Sequence, residues 1–145
     1  MPEAGGLRLH VFTGKACSRR REHIERKSVR GATNTVRLRV AYLADFLVMK
    51  ALAIAGRDKP KDTYDLCYCL EDFPGGLERL AADWRSRRVE KDVVRAVEIL
   101  REKFAGVNAF GPQQLVEFHD SGDPERGAME ARRAYELAQQ FLKLL

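Results

Sequence analysis

The 145 residues, 45% hydrophobic and 32% charged, carry enough apolar surface for one folded core, which argues against both a disordered chain and a second independent core. No apolar run approaches the ~20 residues that cross a bilayer, and Met1 to Gly6 lacks the basic-then-apolar pattern of a secretory signal, so the expectation is a cytoplasmic protein with no membrane contact. The net charge of +5 is concentrated between Lys15 and Arg30, where seven basic and only two acidic side chains account for all of it. Such a segment suits a polyanion such as RNA, through counterion release, with Arg19, Arg20, Arg21, Arg26 and Lys27 as the candidate contacts. The bland alternative is a solvated loop or edge strand.

Leu7, Leu9 and Val11 alternate with Arg8, His10 and Phe12, the period-2 pattern of a half-buried strand that ends at Thr13-Gly14. The segment Glu22 to Val29 suits an exposed edge strand, with Ile24 and Val29 its only apolar residues. After the turn-like Gly31 to Asn34, Val36, Leu38 and Val40 alternate with Arg37 and Arg39, which predicts another strand. From Leu43 the period becomes helical: Leu43, Phe46, Leu47, Ala51 and Ile54 lie on one side, and Gly56 is a natural stop. Further helices are expected over Asp62 to Asp72, Leu77 to Arg85 and Glu90 to Phe104, the last with a stripe of Val93, Val97, Leu100 and Phe104. Asp123 and Pro124 open a final helix whose face is Ala131, Tyr135, Ala138, Leu142 and Leu145.

Strands first and helices after predict an α+β fold: a small antiparallel or mixed sheet from the N-terminal third, then a helical C-terminal bundle. The expected organisation is a single domain, 1–145, strand-rich over 7–41 and helical over 43–145. Cys17, Cys67 and Cys69 form no zinc-site spacing and are expected to be reduced, partly buried thiols.

One position breaks the apolar pattern. Lys50 stands in the middle of the stripe Leu43, Phe46, Leu47 and Ile54, and an ammonium is rarely buried without a partner. Asp62 and Asp65, three residues apart on the next helix, project from one face and are the natural partners. By itself such a contact is a structural salt bridge joining two helices.

The wording of the whole segment points further. Lys50 to Leu66 reads KALAIAGRDKPKDTYDL, a lysine helix, a loop with Arg57, Lys59 and Lys61, then Asp62 and Tyr64-Asp65-Leu66, preceded by Tyr42-Leu43-Ala44-Asp45-Phe46. This resembles the AbiEii-type toxin nucleotidyltransferases, within the polymerase-beta-like nucleotidyltransferase superfamily, over roughly residues 7 to 85. The resemblance implies transfer of a nucleotide from a triphosphate, in some members to transfer RNA, and a role as the toxin of a type IV toxin–antitoxin pair. It implies Lys50 as a nucleotide contact and Asp62 or Asp65 as completing the catalytic pocket. A lysine can neutralise phosphate charge as it grows in the transition state, and a carboxylate can orient it or bind sugar hydroxyls. Arg57, Lys59 and Lys61, at a helix start, join Lys50 as candidate nucleotide-binding residues.

The departures matter equally. Family members begin with Gly-Ser and, about ten residues on, Asp-x-Asp, whose carboxylates hold magnesium. This chain contains neither motif. Asp120 to Asp123 reads as a turn and helix cap instead, and His10 stands on the strand where a third carboxylate is often found. No metal ligand is therefore assigned. The chain is expected to resemble the distal half of the enzyme, as a truncated reading frame or one piece of a split, truncated nucleotidyltransferase-like protein, inactive alone. Magnesium and a nucleoside triphosphate enter if another chain supplies the motif. Other readings are a non-catalytic RNA- or nucleotide-binding module, or a protein that binds an antitoxin through the tail Glu125 to Leu145.

Overall fold

A computed structural model describes residues 21–27, 33–39 and 41–145, and the chain divides into two compact units, Met1–Tyr42 and Leu43–Leu145. The division falls where the sequence pattern changes period. In the first unit, β1 (Arg21–Lys27) pairs antiparallel with β2 (Thr33–Arg39), in a register that sets Arg21 opposite Arg39 and Lys27 opposite Thr33. The strand expected over Leu7 to Phe12, with His10, lies outside the described residues, as do Arg19, Arg20 and Cys17.

The second unit consists of α1 (Leu43–Gly56), α2 (Pro60–Glu71), α3 (Gly76–Ser86), α4 (Lys91–Lys103), α5 (Phe110–His119) and α6 (Pro124–Lys143). This corrects the α+β expectation. Six helices and no strand build the unit that holds the core, and the described strands form only one two-stranded ribbon, not a sheet that makes a layer of the fold. The reason is visible in the composition. Arg21–Lys27 has one aliphatic residue, Ile24, and Thr33–Arg39 has two, Val36 and Leu38, too few to supply an apolar layer.

Each helix follows local chemistry. Pro60 stands in the first turn of α2, where a missing N–H is tolerated. Asp123 caps α6, its Oδ1 accepting from the amides of Glu125 at 3.0 Å and Arg126 at 3.4 Å. The helix α5 was not among the expected helices; Gly111 and Pro112, residue types that often break a helix, lie in its first turn. Gly111 is there because of packing: a Cβ at this position would lie 2.6 Å from Cζ of Phe104, a ring with no solvent exposure. Gly111→Ala should therefore lower the unfolding free energy by about 1–3 kcal/mol, despite alanine's better helix propensity. Chemical denaturation of the variant checks this, and unchanged or raised stability would contradict it.

The core lies among α1, α2, α3, α4 and α6, with Leu47, Leu66, Leu70, Leu80, Ile99, Leu100, Phe104 and Phe141 all buried. Trp84 is the largest buried side chain; its ring meets Phe141 edge-to-face at 5.1 Å, and its Nε1 donates to the Ala44 carbonyl at 3.4 Å. In α4, Val93 and Leu100 are buried as expected, while Ala96 and Ile99 take the place given to Val97. In α6 the buried face is Gly127, Ala131, Ala134, Ala138 and Phe141, rotated by about one position from the sequence pattern, which leaves Tyr135 and Leu142 half-buried. The apolar face of the tail is thus consumed inside its own unit; its exposed large apolar residue is Met129.

Candidate functional site

The helix α1 buries Lys50 because its neighbours at helical spacing, Leu47, Ala51 and Ile54, fill the core and drag that face inward. The side chain is relieved there by α2. Its Nζ lies 2.8 Å from Oδ1 of Asp62 and 2.7 Å from Oδ2 of Asp65, and 5.3 Å from the centre of the Phe46 ring. Asp62 is also held by Arg57, whose Nε and Nη2 donate at 2.6 and 3.0 Å. Asp65 is also held by Lys61, one turn earlier on α2, at 2.7 and 2.8 Å. Three cations and two carboxylates thus form one connected cluster carrying a single positive charge.

Depth sorts its members. The Asp62 side chain is 2% exposed and Asp65 16%, whereas Arg57 and Lys61 are 49% and 51% exposed. Burial alone would raise both carboxyl pKa values and lower that of Lys50. For Asp62 the hydrogen bonds from Arg57 and Lys50 win, for Asp65 those from Lys50 and Lys61, and both lie below the ordinary carboxylate value. For Lys50 the two aspartates likewise overcome burial and hold the ammonium above its ordinary value.

These directions fix a pH window. Depressed carboxylates stabilise the fold above their unfolded pKa, 3.8, and that stability is lost as pH falls through the folded values. A raised lysine stabilises below its unfolded pKa, 10.5, and that contribution is lost as pH rises through the folded value. The cluster's contribution should therefore be flat across neutral pH and fall away below 3.8 and above 10.5. Denaturant unfolding as a function of pH checks it: Asp62→Asn should flatten the acid limb, and an acid limb as steep as the parent's would contradict the assignment.

Of the residues singled out in the sequence, Lys50, Asp62, Asp65, Arg57 and Lys61 come together. Lys59 is exposed at the N-cap of α2, a helix start that no side chain caps. Arg21, Arg26 and Lys27 lie on β1, in the other unit. Cys67 is buried, which pushes its thiol up to about 12, so it is chemically quiet; Cys69 is half-buried, and both are free thiols.

Two features escaped the sequence reading. Arg87, between α3 and α4, gathers Asp45 of α1 at 2.6 Å, Glu90 at 2.9 Å and Asp83 at 3.3 Å, giving α1 a second ion-pair anchor. The spacing Asp83, Arg87, Glu90 was a signal for the local part, but nothing local pointed to Asp45. The second feature is a row of aromatic rings. Tyr64 of α2 stacks on Phe118 of α5 at 4.3 Å and on Tyr68 one turn on at 6.0 Å, and His119 meets Tyr64 edge-on at 5.7 Å. Lys61, Tyr64 and Tyr68 follow helical spacing, which marks a common face, but α5 had not been foreseen.

Among the described residues, no three His, Cys, Asp or Glu side chains are grouped to hold a metal ion, and no helix is long and apolar enough to cross a membrane. A family model described as nucleotidyl transferase AbiEii toxin, type IV TA system, matches residues 13–143. No curated protein and no solved structure matches the chain.

Proposed function

The chain belongs to the AbiEii nucleotidyltransferase toxin family, and on that premise we propose that the Lys50 cluster is the nucleotide-facing corner of a nucleotidyltransferase-like site. One observation carries this reading: a buried ammonium fixed by two carboxylates lies beneath a rim of exposed cations at an uncapped helix start. In this reading Arg57, Lys59 and Lys61 take the phosphates, whose charge the uncapped N-terminus of α2 also favours. Lys50 supplies the fixed positive charge behind them, already held in place before a nucleotide arrives. Asp65, the more accessible carboxylate, is the one within reach of a sugar hydroxyl, and the deeper Asp62 acts as a positioning residue for Lys50 and Arg57.

Magnesium does not fit this cluster. Each aspartate already faces two cations, and three cations against two carboxylates leave the cluster net positive, which repels a divalent ion. Residues 1–145 also contain no Gly-Ser and no Asp-x-Asp. We therefore read these residues as able to hold a nucleotide but unable to transfer it unless metal-binding carboxylates come from other residues. The toxin–antitoxin family makes an antitoxin a natural partner, although the buried face of α6 does not offer itself as the contact.

Incubation with labelled nucleoside triphosphates, magnesium and total RNA tests the reading. Residues 1–145 alone should bind triphosphate and incorporate no label. Adding a polypeptide with the Gly-Ser and Asp-x-Asp motif should permit incorporation that falls with Lys50→Ala, its folding checked by circular dichroism. Incorporation by residues 1–145 alone would refute the incapacity, and absence of triphosphate binding would refute the site.

A further inference from the structure

Phe46 has no role among the phosphate and sugar contacts of the cluster, yet it stands on the same face of α1. Helical spacing puts Phe46, Lys50, Ala53 and Arg57 at i, i+4, i+7 and i+11, within about 40° of one line along the helix. Arg57 lies just past the end of α1, but its amide still donates to the Ala53 carbonyl at 3.1 Å, so the helical path reaches it. At the other end the ring centre of Phe46 is 5.3 Å from Nζ of Lys50. Phe46 is half-buried, and Ala53, between the lysine and the arginine, offers only a methyl group. An aromatic ring, the Lys50–Asp65 pair and the half-exposed Arg57 guanidinium thus follow one another over roughly 16 Å of helix axis.

A nucleotide carries its base, sugar and phosphates in the same order. We infer that Phe46 contacts the base of the nucleotide held by the cluster, and so favours a nucleoside triphosphate over a bare polyphosphate. The inference rests on the nucleotide-facing reading of the cluster and extends it, because Lys50, Arg57, Lys59 and Lys61 can hold phosphate but cannot sense whether a base is attached. A phenyl ring can. Every base has a π-face, so the ring rewards the presence of a base more than its identity. The plain alternative is that the ring only shields the buried ammonium of Lys50. That role would affect every anion at the cluster alike, which separates the two by experiment.

Calorimetric titration of the full chain with adenosine triphosphate and, separately, with inorganic triphosphate decides the matter. Phe46→Leu should weaken adenosine triphosphate binding roughly tenfold, as loss of one stacked base does, and leave inorganic triphosphate binding as in the parent. Binding of the inorganic ion by the variant also shows that its cluster is intact. Phe46→Tyr, which keeps the ring, should restore the difference. Nuclear Overhauser contacts from the adenine protons to a phenylalanine ring give the same answer in the parent without any variant, and their absence overturns the inference. It is also overturned if Phe46→Leu weakens both ligands equally, or neither. A parent that binds inorganic triphosphate but shows none of these base effects would leave the cluster as a phosphate site and remove only the role of Phe46. A parent that binds neither ligand would sink the nucleotide-facing reading itself.

Discussion

Asp62→Ala should lower the unfolding free energy of the chain by about 3 kcal/mol, the low end of the range for breaking a buried ion pair, and depress the melting temperature by roughly 10–20 °C. The low end applies because Lys50 keeps Asp65 as a partner. What makes the loss large is the position of the ammonium: Lys50 is 7% exposed in the core stripe of α1 and cannot turn to water without unpacking that helix. Replacing both deep partners with apolar side chains, Lys50→Met with Asp62→Leu, should recover most of the loss, because the desolvated charges are then gone together. Differential scanning calorimetry on the single and double variants checks this. A double variant no more stable than Asp62→Ala would show that the cluster's contribution is not electrostatic.

Trp84→Ala should cost about 3–5 kcal/mol, the range for deleting a large buried aromatic. The indole is 1% exposed, packs edge-on against Phe141 and donates to the Ala44 carbonyl, so its loss opens a cavity where α1, α3 and α6 meet. Trp84→Phe should cost less, since the ring contact survives and only the hydrogen bond and part of the volume are lost. Urea unfolding with matched slopes distinguishes them, and a Trp84→Ala midpoint near the parent's would contradict this placement of the core.

The helical unit was legible because helical periodicity and end signals are local. Leu43 to Ile54 declared α1, and Asp123-Pro124 declared the start of α6. The expected helices did not include α5, whose first turn holds Gly111 and Pro112, and the fit of Gly111 against the buried Phe104 is a tertiary fact that no local signal carries. The sheet was overread for a related reason: alternation at Val36 and Leu38 is a real strand signal, but a sheet layer needs more apolar strands than the described segments provide.

The candidate site was legible in proportion to the oddity of its residues. A lysine in an apolar stripe demanded a carboxylate, and the i, i+3 pair Asp62 and Asp65 was near enough in sequence to be named. The fork of Arg57 on Asp62 was not foreseen, because an arginine in a cationic loop reads first as free for an anion. The stack of Tyr64, Tyr68 and Phe118 joins α2 to α5, so it could not be seen until α5 was placed.

A cluster that faces a nucleotide, as proposed, is more than a clasp between α1 and α2. Calorimetric titration of a nucleoside triphosphate into the chain, with and without Arg57→Ala and Lys61→Ala together, tests it most directly, since both side chains are about half exposed and the core pair Lys50–Asp62 survives. The parent should bind in a salt-sensitive way and the double variant at least roughly tenfold more weakly, because it loses two charge-assisted phosphate contacts. Equal affinity in the two proteins, or no binding by the parent, would contradict it.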